Sequence, residues 1–321
     1  MELNIIEGQI KRPLKVVIYG SEGIGKTTVA AHSIEPLFID TEGGTAHLNV
    51  RRIPRPENWN ELLAIIYEIA ASPGLCRTLV LDTADWAEQM CVDHICQKYS
   101  KTGIEEFGYG KGYTYLAEEF SKLLAALDIV IAVGVNVIVI AHAKMRKQEL
   151  PDEMGAFDRW EMKLSKQVAP LLKEWCDMLL FCNYQTFVVK TEGNNAKAQG
   201  GKRVMYTSHH PCWDAKNRFG LPEVMDLNFD GIAHLFSGAA DAPTAPAPSP
   251  VSTPVPHEVV GEKLHDAPFT ETDLMAFIHS KGHHKEIETL DALPAKFVTG
   301  WILKYWDQIK ERMTAANGQN A

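Results

Sequence analysis

Eight residues constrain this chain of 321 more than any other feature in it. Gly20-Ser21-Glu22-Gly23-Ile24-Gly25-Lys26-Thr27 spells GxxxxGK(S/T) and stands directly between two elements. Before it, Leu14 to Tyr19 (LKVVIY) is a short apolar run that reads as a buried strand. After it, Gly25 to Ser33 carries a helical pattern. Glycines let the backbone turn tightly enough for successive N–H groups to point inward, and the helix start adds the positive end of its dipole. A loop so placed is a cradle for phosphates. The spacing assigns Gly20, Ser21, Glu22, Gly23, Ile24, Gly25, Lys26, Thr27 and Thr28 to a bound ATP. Lys26 reaches the β- and γ-phosphates, and the Thr27 hydroxyl ligates Mg²⁺.

The rest of the first 236 residues alternates strand and helix. Pro36 to Asp40 (PLFID), Arg77 to Asp82 (RTLVLD) and Val135 to Ala141 (VNVIVIA) read as further buried strands. Trp59 to Ala71, Ala84 to Tyr99 and Tyr113 to Val133 read as helices. Continuous apolar strands separated by helices predict an α/β fold with a mostly parallel sheet covered on both faces. After Trp160 the pattern changes to a helix, Leu164 to Trp175, and then to strands at Asp177 to Asn183, Thr186 to Lys190 and Arg203 to Thr207. These predict antiparallel strands added to the sheet edge. Six of the fourteen residues from Pro243 to Pro256 are proline, too many for a core and suited to an extended tether. The expected organisation is therefore a nucleotide-binding domain at 1–237, a Pro/Ala-rich linker at 238–256 and a small helical module at 257–321. In the module a helix opens at Thr270-Glu271-Thr272-Asp273, and a second runs from Phe297 to Met313.

Three strand ends supply the remaining chemistry. Thr78 to Asp82 is an apolar strand ending in a carboxylate, which would face the same crevice as the phosphate loop and hold a water of the Mg²⁺ shell. Phe38-Ile39-Asp40-Thr41-Glu42-Gly43-Gly44 ends another strand with two carboxylates. Glu42 is the candidate general base for a hydrolytic water, with Asp40 as an orienting or structural neighbour. Ile140-Ala141-His142-Ala143-Lys144 places His142 where it can sense the γ-phosphate.

Together these segments resemble the RecA-like ATPase core. FIDTEGG (38–44) resembles the RecA segment that carries the catalytic glutamate, TLVLDT (78–83) its Walker B strand, and VIVIAHAKMRK (137–147) the sensor strand, with His142 where RecA has glutamine. Lys216-Asn217-Arg218-Phe219-Gly220 is similar to the KNRFG pentapeptide of RadA-type recombination proteins, and DnaB-type helicases have a related motif. In those families the basic residues approach ATP on the neighbouring subunit. The resemblance thus implies that Lys216 and Arg218 act as a finger across an interface in a ring or filament. The body from Leu14 to Phe236 resembles phage-encoded ATP-binding proteins of the single-strand annealing group. That likeness implies a Mg²⁺-dependent, DNA-stimulated ATPase of phage recombination that binds single-stranded DNA, with a single-stranded-DNA-binding protein as a candidate partner of the tail. RadA's CxxC zinc pair is missing.

Two stretches fit the DNA loops of such a fold. Gly103 to Tyr115 carries Phe107, Tyr109, Lys111 and Tyr113, so that bases stack on the rings while lysine meets phosphate. Lys144 to Lys166 has mixed charge with a modest positive field. Thr186 to Gly220 has six basic residues against Glu192 and Asp214, a local excess in a chain of net charge −9. That overall acidity excludes bulk-charge coating of nucleic acid. The six cysteines form no CxxC pair and read as reduced core residues of a cytoplasmic protein, in the bacterial host if phage-encoded. The start lacks a signal sequence, and the longest apolar stretch, Ile129 to Ala141, is too short to span a bilayer, so no membrane partner is expected. Other functions fit the same motifs: a DnaB/RadA-like helicase or translocase motor, a nucleotide-binding adaptor that recruits replication proteins, or, with least support, a small P-loop kinase.

Overall fold

The computed structural model describes residues 7–8, 10–72, 74–149, 156–191, 195–236, 260, 263–264, 267, 269–287, 289–294 and 297–317. The chain forms two compact units, Met1–Ala247 and Pro248–Ala321. The linker expected at 238–256 lies outside the described residues.

The first unit is built on a nine-stranded sheet. Its strands are β1 (Lys15–Gly20), β2 (Pro36–Asp40), β3 (Arg51–Ile53), β4 (Thr78–Asp82), β5 (Asn136–Glu149), β6 (Ala156–Met162), β7 (Met178–Thr191), β8 (Asn195–Tyr206) and β9 (Val224–Asp226). The order is β3-β2-β4-β5-β1-β7-β8-β9, and β6 pairs with the outer half of β5. Along this order the six strands β3, β2, β4, β5, β1 and β7 are all parallel to one another. The pairs β7–β8, β8–β9 and β5–β6 are antiparallel. This is the expected α/β architecture, a mostly parallel sheet with antiparallel strands at its edge.

Successive strand residues point to opposite faces, so each apolar strand feeds two cores. On one face Val17, Ile39, Leu81 and Val139, one from each of four strands, pack under α2 (Trp59–Ala71), α3 (Ala84–Lys98), α4 (Lys111–Ala132) and α5 (Val168–Trp175). On the other, Ile18, Phe38, Val80 and Ile140 pack under α1 (Lys26–Ala31) and α6 (Asp230–Phe236).

Three expectations are corrected. β5 does not stop at Ala141 but runs on to Glu149 and pairs with β6, so much of the Lys144 to Lys166 stretch is a β-hairpin arm, not a loop. Its charged outer half lacks the apolar signature of a buried strand. The segments at Asp177 to Asn183 and Thr186 to Lys190 are one strand, β7, whose register shifts at Gln185/Thr186. In the second unit, Glu271–Ser280 forms α7 behind Thr270, which makes a reciprocal capping box with Asp273. The single helix expected from Phe297 to Met313 is instead a π-helical turn, Val298–Leu303, followed by α8 (Trp306–Asn317). Thr299 and Gly300 fall inside that turn, and both are weak helix formers. Leu274, Ile278, Val298, Ile302, Trp306 and Ile309 form this unit's own core.

Candidate active site

The parallel register brings the strand ends together. Gly20 stands beside His142, and Asp40 beside Asp82, so the carboxyl ends of β1, β2 and β4, and the point where β5 passes from β1 to β6, open onto one crevice. The Thr41 hydroxyl fixes this edge by donating to Thr83 O at 2.9 Å and accepting from Thr83 N at 2.7 Å.

The phosphate loop occupies the head of the crevice. A Cβ on Gly20 would lie 2.1 Å from the Cys182 carbonyl oxygen, so only glycine fits where β1 passes β7. Gly25, at φ +113°, turns the chain into α1. Ile24 is fully buried in the core below and pins the loop. Ser21, Glu22, Gly23, Thr27 and Thr28 stay at least partly accessible. Lys26 is buried, and burial lowers its pKa. Its Nζ donates to Gly20 O at 3.1 Å and Ser21 O at 2.9 Å, which holds the ammonium in the crook of the loop.

Thr27 Oγ1 donates to Asp82 Oδ2 at 2.8 Å. Burial pushes the Asp82 carboxyl up to about 6, against that hydrogen bond and the charge of Lys26. A hydroxyl and a carboxylate in contact beside a phosphate cradle are the donor types a hard divalent ion takes, so these residues fit Mg²⁺.

Asp40 and Glu42 separate into two roles. Asp40 accepts from Gly43 N at 2.6 Å, Gly44 N at 3.2 Å, and from both Thr45 N (2.9 Å) and Thr45 Oγ1 (2.6 Å). It builds the turn after β2. Glu42 is 37% exposed on its side-chain surface, and its Oε2 lies 3.8 Å from His142 Nε2. The other face of His142 meets a residue that motif reading misses. Asp85, in the first turn of α3, accepts the His142 backbone N–H at 3.0 Å, and its Oδ2 sits 2.8 Å from Nδ1. The hydrogen bond to Asp85 raises the His142 pKa. Asp85, which burial alone would raise, is held down by the ring and backbone N–H of His142. The signal was present in the sequence: a second carboxylate three residues after Asp82, where a helix start favours negative charge.

Lys216 and Arg218 lie elsewhere in their own chain. Lys216 pairs its backbone with Leu179, three residues down β7 from the Cys182 that flanks Gly20, roughly 10 Å at strand rise. Its Nζ donates to the carbonyls of Lys173, Glu174 and Cys176, capping the end of α5. Asn217 Oδ1 accepts from Phe219 N and Leu221 N and shapes the turn. Arg218 alone of the two cations points outward. It is 61% exposed and 3.7 Å from Asp177.

The expected DNA stretches are largely committed internally. Phe107 packs edge-on against Tyr99 and Tyr115, both at 5.6 Å, and Tyr113 donates its hydroxyl to Glu105 at 2.5 Å. Tyr109 is fully exposed, at φ +47° between Gly108 and Gly110. Arg159 is buried against Asp214 and Pro211 O, Arg146 pairs with Glu161, and Lys163 with Glu22 of the phosphate loop. Lys202 pairs with Asp226. Arg203 reaches back to Ile24 O at 3.3 Å. With Gly25, Thr28 and Asn228 it lines a cavity of about 160 Å³ beside the phosphate loop. Side chains of residues 186–200, Lys190 and Lys197 included, lie outside the described residues, as does Glu192. Among the described residues no helix is long and apolar enough to cross a membrane.

Parts of the chain are similar to known proteins. The family described as an AAA domain (AAA_24) matches residues 12–219. The SPbeta prophage-derived uncharacterized protein YorG of Bacillus subtilis (strain 168) is 28% identical over 153 residues, 44% of this chain and 43% of that protein. The chain thus spans less than half the length of that relative. Two solved structures align with 62% of the chain. One is the flagellar accessory protein FlaH from Methanocaldococcus jannaschii (79% of that chain, 12% identity, TM-score 0.32). The other is the KaiC-like protein PH0186 from Pyrococcus horikoshii OT3 (80% of that chain, 15% identity, TM-score 0.34).

Proposed function

The chain belongs to the AAA domain family of P-loop ATPases, and from that premise we propose that it is a Mg²⁺-dependent ATPase that binds single-stranded DNA and promotes annealing or strand pairing in phage recombination. One observation carries the ATPase reading. The phosphate loop, Asp82, Glu42 and His142 share a crevice, while the exposed cation of the KNRFG turn lies down the sheet from it and faces out.

The proposed chemistry follows from these placements. Lys26 and the loop amides bind the triphosphate. Thr27, and Asp82 through a water of the ion's shell, would hold Mg²⁺, which would supply charge neutralisation along the phosphates. Glu42, the open carboxylate, orients and deprotonates the attacking water. His142, locked by Asp85 with Nε2 toward Glu42, links that carboxylate to the γ-phosphate end of the crevice. Arg218 stands beside Asp177, at the foot of β7 and five residues before the Cys182 that flanks Gly20, at the other end of that strand pair from its own phosphate loop. It completes the crevice of a second copy, while Lys216 stays home to brace the turn. Tyr109, lifted on its two glycines and followed by Lys111, offers the free ring for a base.

The test is ATP hydrolysis with and without single-stranded DNA, run beside annealing and unwinding assays on oligonucleotides. DNA-stimulated hydrolysis with annealing is expected. Unwinding without annealing would replace this reading with a helicase motor. Mixing Glu42→Gln with Arg218→Ala probes the shared site: two inactive variants that form mixed assemblies should recover part of the activity, and no recovery would remove the trans role of Arg218.

A further inference from the structure

We infer that the cleft between α7 and α8 of the second unit is a separate binding site for single-stranded nucleic acid. The inference rests on the reading that DNA is this protein's macromolecular ligand, but it uses none of the core's residues. The cleft holds a cavity of about 470 Å³, lined in part by Phe277, Lys281, His283, Trp301, Tyr305 and Arg312.

Two features identify the occupant. The first is charge. The unit from 248 to 321 has ten acidic residues against seven basic, yet among the described residues no carboxylate lines this cleft, while Lys281, Arg312 and His283 do. An anion is therefore matched here, against the sign of the surrounding chain. The second is shape. The cleft presents ring faces with cations held next to them. Within the cleft, Lys281 Nζ lies over the Phe277 ring, 5.2 Å from its centre; Tyr305, 38% exposed, has one face under Lys304 Nζ, which is not part of the cleft wall, at 5.3 Å. Trp301 is backed on one side by Phe297, stacked at 5.3 Å and 13°, so its plane is fixed before any ligand arrives. Flat faces alternating with cations suit bases and phosphates in turn. An acidic peptide would satisfy the cations, but its carboxylate side chains offer no extended ring to stack on Phe277, Trp301 or Tyr305. The unit's core residues Ile302, Trp306 and Ile309 pack independently of Lys281, Tyr305 and Arg312, which are exposed.

The experiment measures binding of a fluorescein-labelled oligo-dT to the full chain by anisotropy across a salt series. It compares wild type with the Lys281→Glu/Arg312→Glu double variant, Tyr305→Ala and Tyr305→Phe. The double variant should bind at least about tenfold more weakly, with a salt slope shallower by roughly 1.4, from about 0.7 per lost phosphate contact. Tyr305→Ala should weaken binding and Tyr305→Phe restore it, with basal ATP hydrolysis unchanged throughout. Wild-type affinity and slope in the double variant would overturn this site alone. An oligo-dT that fails to bind wild type would overturn both this site and the DNA reading of the core. A labelled poly-glutamate peptide that loses binding in the double variant while oligo-dT does not would overturn it in favour of a protein ligand.

Discussion

The crevice at the carboxyl ends of β1, β2 and β4, beside the middle of β5, and the basic stretches that follow it treat their charges in opposite ways. In the crevice, Asp82 is buried with one hydrogen bond from Thr27, and Glu42 keeps an open side 3.8 Å from His142, so the crevice keeps carboxylates beside a shared space. In the basic stretches Arg159, Arg146, Lys163 and Lys202 all find carboxylates, and Lys216 finds three carbonyls. Charges spent on buried carboxylates and carbonyls within the chain are the ones least free to meet a ligand. A count of lysines and arginines along the sequence cannot make that distinction, because it registers composition and not pairing.

The contrast is sharpest at the phosphate loop, where the largest effect is expected. Lys26→Ala should abolish ATP binding, read by titration of a fluorescent ATP analogue, while circular dichroism stays native. Normal nucleotide affinity in this variant would place the triphosphate elsewhere and dissolve the contrast. Next in size is the pair Arg218 and Lys216. Arg218→Ala should keep ATP binding and lose hydrolysis by about a thousandfold, the scale of an arginine finger. Lys216→Ala should act chiefly on the fold, costing about 1–3 kcal/mol through the carbonyls it leaves unmet at the end of α5. Thermal unfolding and hydrolysis rates of the two variants separate these roles. Equal effects of both on both readouts would erase the division within the turn.

A smaller effect divides the aromatic loop. Tyr109→Ala should weaken oligo-dT binding by about 1–3 kcal/mol without lowering the melting temperature. Phe107→Ala, which opens the cluster with Tyr99 and Tyr115, should lower the melting temperature. Reversal of that pattern would mean that the free ring is idle and the packed one serves DNA.

What could be read in advance follows the same line. The phosphate loop and the strand ends at Asp40, Asp82 and His142 were legible, because each motif is short, local and tied to an apolar strand whose end it marks. Parallel pairing then places them together, since all four strands share a direction. Asp85 was not legible as a partner of His142, because 57 residues separate them and only the neighbouring register of β4 and β5 brings α3 over the middle of β5. Arg203 read as part of a DNA loop for a similar reason. Its contact with Ile24 O depends on β8 folding back through β7 to the phosphate loop. The β5–β6 arm was hidden because strands outside the core carry polar residues on both faces and look like loops.

The smallest predicted effect tests whether Asp85 and His142 belong with the open crevice or with the satisfied pairs. Asp85 is depressed in the folded state, so its share of stability is present above its ordinary value of 3.8 and is lost as pH falls through the lower folded value. His142 is raised, so its share is complete below 6.5 and is lost as pH rises through the higher folded value. Both shares coexist between 3.8 and 6.5. The melting-temperature difference between wild type and His142→Gln should therefore be widest near pH 5, worth about 1–2 kcal/mol, and should narrow by about pH 9. A gap that does not change with pH would mean the pair carries no net ionic character, leaving the imidazole neutral and its Nε2 able to face Glu42 as a plain hydrogen-bonding group. A gap that instead widens as the solution becomes alkaline would reverse the sign and remove Asp85 as the residue that sets the charge of His142.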